Sequence, residues 1–543
     1  MKRALKALLA GFTAVSLAAC GGSASDTGTS SSAGAVSSSS ASTAVSEIKQ
    51  GGTYIVGQSG EPATLNPDAT SDDYNYAIAQ NLFSRLYKLN NYYQAIPDLA
   101  TSYEVSDDSL TWTFHLHEDA KWTDGEPVTS ADVAYTYDTI IDNSYAHASV
   151  FSSVASIDTP DDYTVVFNMS TPDASFLGNL AWYGTFILPE HILEGQDWLS
   201  CDYNEAPTVT SGPFKFDQWN KGTDVQIVRN DDYYGDTPYL DRVIYTSIPD
   251  QNTGYQSWLN DEIDEYDNYP DSELDSLQTQ TDLYRFVEQS WPSPYYLTFN
   301  VGSGPFANKL VRQAVAYAID RDEVSTTATK GRMPAAQYYI PILYSDALND
   351  DAKLPDYDPD KAEELLQEAG LTKDSDGYYI NATFKIMSGG FDDVAQVVVA
   401  DLEKVGIHLE LDVLDYNIWV EQVMDNYDFE ISMLGGFQGP DVLGCGRRWT
   451  TDGAVNIARY SNSDVDSLFA DARSSSNTDQ INEDMKKIQT YLAADVPNYP
   501  LVDYVQLIPV KKYIMGSPDV PEADGGSKEK AGFSELTYVW LNN

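Results

Sequence analysis

Basic residues are scarce. Thirty-two Lys and Arg stand against 83 Asp and Glu, a net charge of −51 over 543 residues. Phosphate binding needs a basic stripe and none is present, which excludes nucleic acid as a partner. A body this negative is also repelled by anionic membranes and walls, so retention at a surface requires a covalent attachment. Cysteine occurs only at Cys20, Cys201 and Cys445. With no CxxC and no Cys/His metal spacing, neither a disulfide framework nor a zinc site is written in the chain. Cys201 and Cys445 could pair in an oxidising compartment, but only their separation in space decides it. Also missing are a GxSxG elbow, an HExxH pair, a GxxxxGK[ST] phosphate loop and a GxGxxG turn, so no familiar catalytic or nucleotide chemistry is signalled. His115 and His117 lie two apart on a strand with no third ligand at a matching spacing, and they read as ordinary strand histidines. Acidic pairs such as Asp107/Asp108 and Asp231/Asp232 fall in turns and read as solvated. No segment holds 18 uninterrupted apolar residues, so any channel or motor must be another polypeptide.

Other features are plentiful. The length suggests about three domains at roughly 150 residues each. Aromatics are abundant, with 38 Tyr and 10 Trp, which suits ligand surfaces as well as core packing. At the N-terminus Lys2, Arg3 and Lys6 precede an apolar run from Ala7 to Ala19 that ends in Leu17-Ala18-Ala19-Cys20. That is the layout of a secretory signal, too short to span a bilayer. The segment from Gly21 to Ser46 is nearly all Ser, Gly, Ala and Thr. It has too little apolar bulk to offset the entropy of ordering, and its r.m.s. reach is roughly 25–30 Å.

The most informative stretch runs from Ile96 to Asp142, IPDLATSYEVSDDSLTWTFHLHEDAKWTDGEPVTSADVAYTYDTIID. Trp112, Phe114 and Leu116 alternate with polar residues, the period of a half-buried strand. Asp107-Asp108-Ser109 supplies turn chemistry before it, and Asp124-Gly125 breaks the chain after it. Thr129-Ser-Ala-Asp132 predicts a capping box, followed by Val133, Tyr137, Ile140 and Ile141 at helical spacing. Further along, Val154 to Met169 predicts a hairpin turning at 159–162. A helix is expected to carry Ile78, Leu82, Phe83 and Leu86. Asn308 is a natural cap for the apolar face Val311, Ala314, Val315, Ala318 and Ile319. Asp358-Pro359 and Gly370 frame another helix. Residues 384–387, 394–405 and 407–413 read as strand, helix and strand, a parallel βαβ unit, and 429–434 as a further strand.

The order PDLA, acidic turn, TWTFHLHEDAKWTDGEPVTSADV resembles the signature of the family 5 extracellular solute-binding proteins, the oligopeptide and dipeptide receptors of ABC importers. The phrases YLTFN at 296–300, GPFAN at 304–308 and VRQAVAYAID at 311–320 resemble the same family. So do the TLNP loop at 64–67 and the closing YLAADVPNYPL at 491–501. The resemblance covers essentially all of Gly51 to about Leu541. It implies an α/β, two-lobed periplasmic-binding-protein-like fold of the large, peptide-binding type II class, with an extra subdomain in the first lobe. Separately, Cys20 directly after Leu17-Ala18-Ala19 resembles a bacterial lipobox, which implies a lipoprotein signal peptide at 1–19 and a lipidated Cys20 with its tether at 20–48. First-lobe segments follow at 49–85 and 191–288, with an inserted subdomain at 86–190. The second lobe spans 289–495, and 496–543 returns to the first.

The same resemblance implies a function: capture of a small ligand, a peptide, outside the cytoplasmic membrane and delivery to permease and ATPase subunits on separate chains. It implies no cofactor, no metal, no catalysis, a monomer, and an anchor through Cys20. In peptide-binding relatives the segment after a comparable strand carries an aromatic residue and an aspartate for the peptide ammonium. Phe437 and Asp441, with Gly436 beside them, are the matching positions. Pro440 stands where the acid usually falls, so Asp441 is equally a helix cap. Trp449 is a candidate apolar wall, and Thr70 and Ser71 occupy the position of the first-lobe cleft loop. An oligosaccharide receptor is the alternative within the binding class, ahead of a metal-chelate receptor, a surface hydrolase or an adhesin.

Overall fold

A computed structural model describes residues 48–69, 72–182, 185–521, 525–527 and 530–543. The signal, Cys20, the tether and the Thr70-Ser71 loop lie outside the described residues. No described helix is long and apolar enough to cross a membrane.

Three sheets organise the body. The first has the order Glu265–Tyr266, Thr53–Gln58, Arg242–Ser247, Asp224–Arg229, Phe214–Asn220. Thr53–Gln58 lies parallel to both its neighbours, so the chain returns to it from a distance. The second has the order Ile407–Leu414, Ile380–Met387, Ile431–Leu434, Tyr295–Phe299, Asn498–Val502. Its first two strands are parallel and joined through the helix Asp392–Lys404, the βαβ unit predicted from the apolar periods. The third is an antiparallel sheet of Ala100–Val105, Thr111–Leu116, Thr164–Met169 and Val154–Asp161, inserted between elements of the first lobe. Each sheet has its own buried core.

The crossings between lobes lie side by side. Tyr284–Ser290 pairs antiparallel with Val505–Lys511 along its whole length. Just beyond, the Trp291 amide donates to the Tyr504 carbonyl at 3.1 Å. One strand then enters the second lobe as Tyr295–Phe299, and the other has just left it as Asn498–Val502. The second sheet therefore keeps the chain through Val502, later than the expected division at 495. Tyr499, Leu501 and Val502 are buried against Leu297 and its neighbours, and that apolar run belongs to the core it fills.

The signature stretch is realised closely. Trp112, Phe114 and Leu116 are buried while Thr111, Thr113 and His115 are less so. Thr129 and Asp132 form the capping box of the helix Ser130–Asn143. Asp132 is buried and does more than cap, accepting from the Thr129 amide at 2.8 Å, the Glu190 amide at 3.0 Å and Trp122 Nε1 at 3.4 Å. Two expectations are corrected. The first helix, Asp73–Leu82, stops before Phe83 because the next amides find tertiary acceptors, Ser84 on the Ser211 hydroxyl and Arg85 on Asp98. The hairpin strand Val154–Asp161 runs through the expected turn, which tightens onto Asp161 as its side chain accepts from the Tyr163 amide. Cys445 is a free thiol in the second-lobe core, and Cys201, also free, packs on the first-lobe core.

Replacing Asp132 with Ala strips a cap and leaves two further donors unpaired, so stability falls by about 2–3 kcal/mol. The measurement is the urea midpoint, with Asp132→Asn retaining part of the loss.

Candidate functional site

Two cavities line the junction of the lobes, of about 610 and 530 Å³, and Asp267, Tyr269 and Gln506 form their common wall. The smaller takes Asn268 and Ser272 from the first lobe and Lys330, Arg332 and Asp393 from the second, with Tyr295 and Tyr504 of the crossing segments. The larger is built chiefly from the first lobe. Tyr76 and Gln80 come from the helix Asp73–Leu82, Glu265 from the edge strand, and Gln289, Trp291 and Ile508 from the crossing segments. Phe533 comes from the C-terminal segment and, among the described residues, Phe437 alone from the second lobe.

Phe437 reaches there because of its loop. The strand Ile431–Leu434 ends at Gly435-Gly436, and Gly436 and Gly439 take φ of +104° and +123°, a turn that side chains with a Cβ resist. The Gly436 amide donates to Ser293 Oγ and the Gln438 amide to the Pro292 carbonyl, tying the loop to the crossing segment. From below, buried Arg448 donates to Gln438 Oε1 and the Gly435 carbonyl, with its guanidinium 4.5 Å from the Tyr296 ring centroid. The Phe437 ring thereby stacks on Trp182 at 4.6 Å and on Tyr93 at 6.1 Å. Phe533 completes the cluster, edge-on to Trp182 at 5.4 Å and stacked on Trp291 at 5.8 Å. A second-lobe ring is thus held in a first-lobe aromatic slot.

Asp441 is turned elsewhere. Its carboxylate caps the short turn Val442–Cys445 by accepting from the Leu443 amide at 2.8 Å. It also accepts from Ser175 Oγ of the first lobe at 3.3 Å. Burial raises its carboxyl. It lines neither of these two cavities, and the cap that the sequence allows is present, with a lobe-to-lobe bond added. Trp449 is placed away from both cavities. It is buried in the second-lobe core, edge-on to Tyr296 at 6.4 Å, because the apolar face of its turn packs inward. Thr70 and Ser71 lie outside the described residues, as does Cys20. Among the described residues no group of three potential ligands could hold a metal ion, and His115 and His117 form no such site.

The carboxylates of the larger cavity escaped the sequence. Glu265 accepts from the Tyr54 hydroxyl at 2.7 Å, and burial first, then Asp519, pushes its carboxyl up to about 7. Asp267 accepts from the amide and hydroxyl of Ser59, and burial raises it too. Both sit in the run from Asp261 to Asp271, whose density of acids reads as solvated turn. The parallel pairing of Glu265–Tyr266 with Thr53–Gln58 carries Glu265 inward, while Asp267, just past the strand, stays exposed at the cavity wall. Asp503, where the chain leaves the second lobe, is likewise pushed up to about 7 by burial.

Two lobes joined by a paired crossing, with ligand-sized cavities at their junction, define a hinged binding receptor. Comparison with known proteins agrees. Residues 94–444 match the model of the bacterial extracellular solute-binding proteins, family 5 middle region. The chain is 30% identical over 504 residues to the oligopeptide-binding protein AppA of Bacillus subtilis, covering 89% of this chain and 90% of that one. Among solved structures, the ABC transporter substrate-binding protein CtaP of Listeria monocytogenes superposes with a TM-score of 0.81 at 25% identity, over 91% of this chain and 100% of that one. AppA of Bacillus subtilis in complex with a nonapeptide gives 0.72 at 26% identity, over 92% and 100%. The chain belongs to the family 5 bacterial extracellular solute-binding proteins.

Phe437→Ala removes the ring that bridges the lobes and shifts the closed-to-open balance by about 1–2 kcal/mol, on the order of tenfold. The expected readout is a larger radius of gyration by small-angle scattering. A pH effect also follows. The raised carboxyls of Glu265 and Asp503 bind more protons in the folded than in the unfolded chain between about pH 4.5 and 7, so their contribution to stability falls as pH rises through that window. Glu265→Gln should flatten the decline in Tm across it by a few degrees, measured by differential scanning calorimetry.

Proposed function

We propose that the protein is the receptor of an ABC importer for peptides. It takes a peptide outside the cytoplasmic membrane, closes on it as a monomer, and presents it unaltered to permease and ATPase subunits on other chains. The observation that carries this reading is the pair of cavities with a common wall at the lobe junction. Each falls in the size range of small-ligand sites, and together they suit an extended guest. The names of relatives support it: besides AppA, a protein of Escherichia coli called dipeptide-binding protein is 24% identical over 86% of this chain. Binding draws the open and closed populations toward closed, and the closed form is what a permease would recognise. Lipidation of Cys20 after signal cleavage would hold the body at the outer face of the membrane, with the Gly/Ser tether as its leash.

An oligosaccharide is the second reading, favoured by the flat walls of Trp182, Trp291, Phe437 and Phe533. Calorimetry of the purified full-length protein with a tripeptide series and with cello- and xylo-oligomers separates the two. The peptide reading requires micromolar or tighter binding of peptides and recovery of the bound peptide intact by mass spectrometry. Binding of sugars alone, or turnover of the peptide, overturns it. Labelling with palmitate that disappears in Cys20→Ala tests the anchor.

A further inference from the structure

The wall of the larger cavity is charged on one side of the balance. Glu265, Asp267, Asp519 and Asp73 line it, and the only guanidinium among its described lining residues is Arg85. That cation is already engaged: its N–H groups donate to the Ala181 carbonyl and Gln80 Oε1, both at 3.2 Å, and its plane lies over Phe186 at 5.0 Å. His147, the other basic side chain on the wall, is held toward neutral imidazole by burial. Glu265 and Asp267 accept only from neutral donors, Tyr54 in the first case and Ser59 in the second. No lysine or arginine pairs with either among the described residues.

A half-buried carboxylate such as Glu265 without a counterion is costly, and an arriving cation relieves it by a charge-assisted hydrogen bond, with exposed Asp267 beside it as a second acceptor. The rest of the wall suits what carries such a cation. Leu89, Ala181 and Ile508 offer apolar surface to a methylene stem, and Tyr269 and Trp291 add aromatic surface to the same wall. The acids, the apolar stretch and the rings converge on one cavity, and together they describe an elongated side chain that is greasy along its length and positive at its tip.

We propose that the larger cavity is a specificity pocket for a guanidinium or ammonium side chain of the ligand, seated against Glu265 and Asp267. This rests on the peptide reading and narrows it to peptides that carry arginine or lysine. The peptide's own α-ammonium has the same chemistry, and the two sources are separable by blocking the N-terminus.

The test is calorimetry on the purified full-length protein with Arg-Ala-Ala, Ala-Arg-Ala and Ala-Ala-Arg, each against its citrulline counterpart, which keeps the shape and loses the charge. Every peptide is used with a free and an acetylated N-terminus, and agmatine and spermidine serve as cations without a peptide backbone. Arginine is expected to exceed citrulline at least tenfold in one or more placements, with acetylation leaving that ratio intact. Glu265→Gln keeps the acceptor for Tyr54 and should abolish the ratio through loss of arginine affinity. Asp267→Asn is the independent second variant, and in the wild-type protein the ratio should shrink from pH 8 to pH 6 as Glu265 takes up its proton. Equal binding of arginine and citrulline peptides in every placement overturns the proposal while the peptide reading stands. So does a preference that survives both substitutions, or one that vanishes on acetylation. Binding of agmatine or spermidine with no peptide bound supports the pocket and overturns the peptide reading. Silence from every probe overturns both.

Discussion

The chain passes between its lobes along two hydrogen-bonded neighbours, the ladder of Tyr284–Ser290 with Val505–Lys511 and the Trp291–Tyr504 amide contact at its end. Two adjacent crossings leave rotation about their common line as the soft relative motion, since sliding or separation would break the ladder. The positions of the cavities follow from this. Gln289, Trp291, Gln506 and Ile508 belong to the crossing itself, so the floor of the site stays fixed while its walls move. The first lobe has to be assembled from pieces on either side of the second, and the parallel pairing of Thr53–Gln58 with strands some two hundred residues away is how that is done.

Closure is held by contacts of different kinds. Phe437 contributes a stacked ring at the cavity, and Ser175 with Asp441 contributes a part-buried polar bond away from it. The Ala174 amide donates to the Arg473 carbonyl, and exposed Lys330 pairs with Asp275 across the smaller cavity's edge. The last is solvent-screened and weak. The ring and the Ser175–Asp441 bond are the less exposed restraints, and both descend from one loop, Gly435 to Asp441, braced by Arg448 beneath it.

Local order was legible where the sequence alone determines it. The alternation around Trp112, the capping box at Thr129, the cap at Asn308 and the βαβ unit around Asp392–Lys404 each depend on residues close in the chain, and each stands as read. What was hidden depends on distant partners. The helix ends at Leu82 because Ser211 and Asp98 claim the next amides, and Asn498–Val502 belongs to the second lobe because of what it packs on. The site shows the same division. Family phrasing located the loop of Phe437, but not that Asp441 turns toward Ser175 or that Trp449 faces inward. Glu265 had the look of a surface acid such as its exposed neighbour Asp267, and nothing near it in the chain says that Tyr54 arrives from the other end of the lobe. Burial of a charge is a property of the assembled sheet.

Trp182 and Trp291 border the larger cavity, whereas Trp122, Trp198, Trp258, Trp419 and Trp449 are fully enclosed in the cores. The indoles whose hydration changes when the lobes part are therefore separate from those that supply a steady background. The molecule carries the makings of an optical gauge: intrinsic emission is expected to follow the opening of the cleft, with no dye attached and no residue replaced.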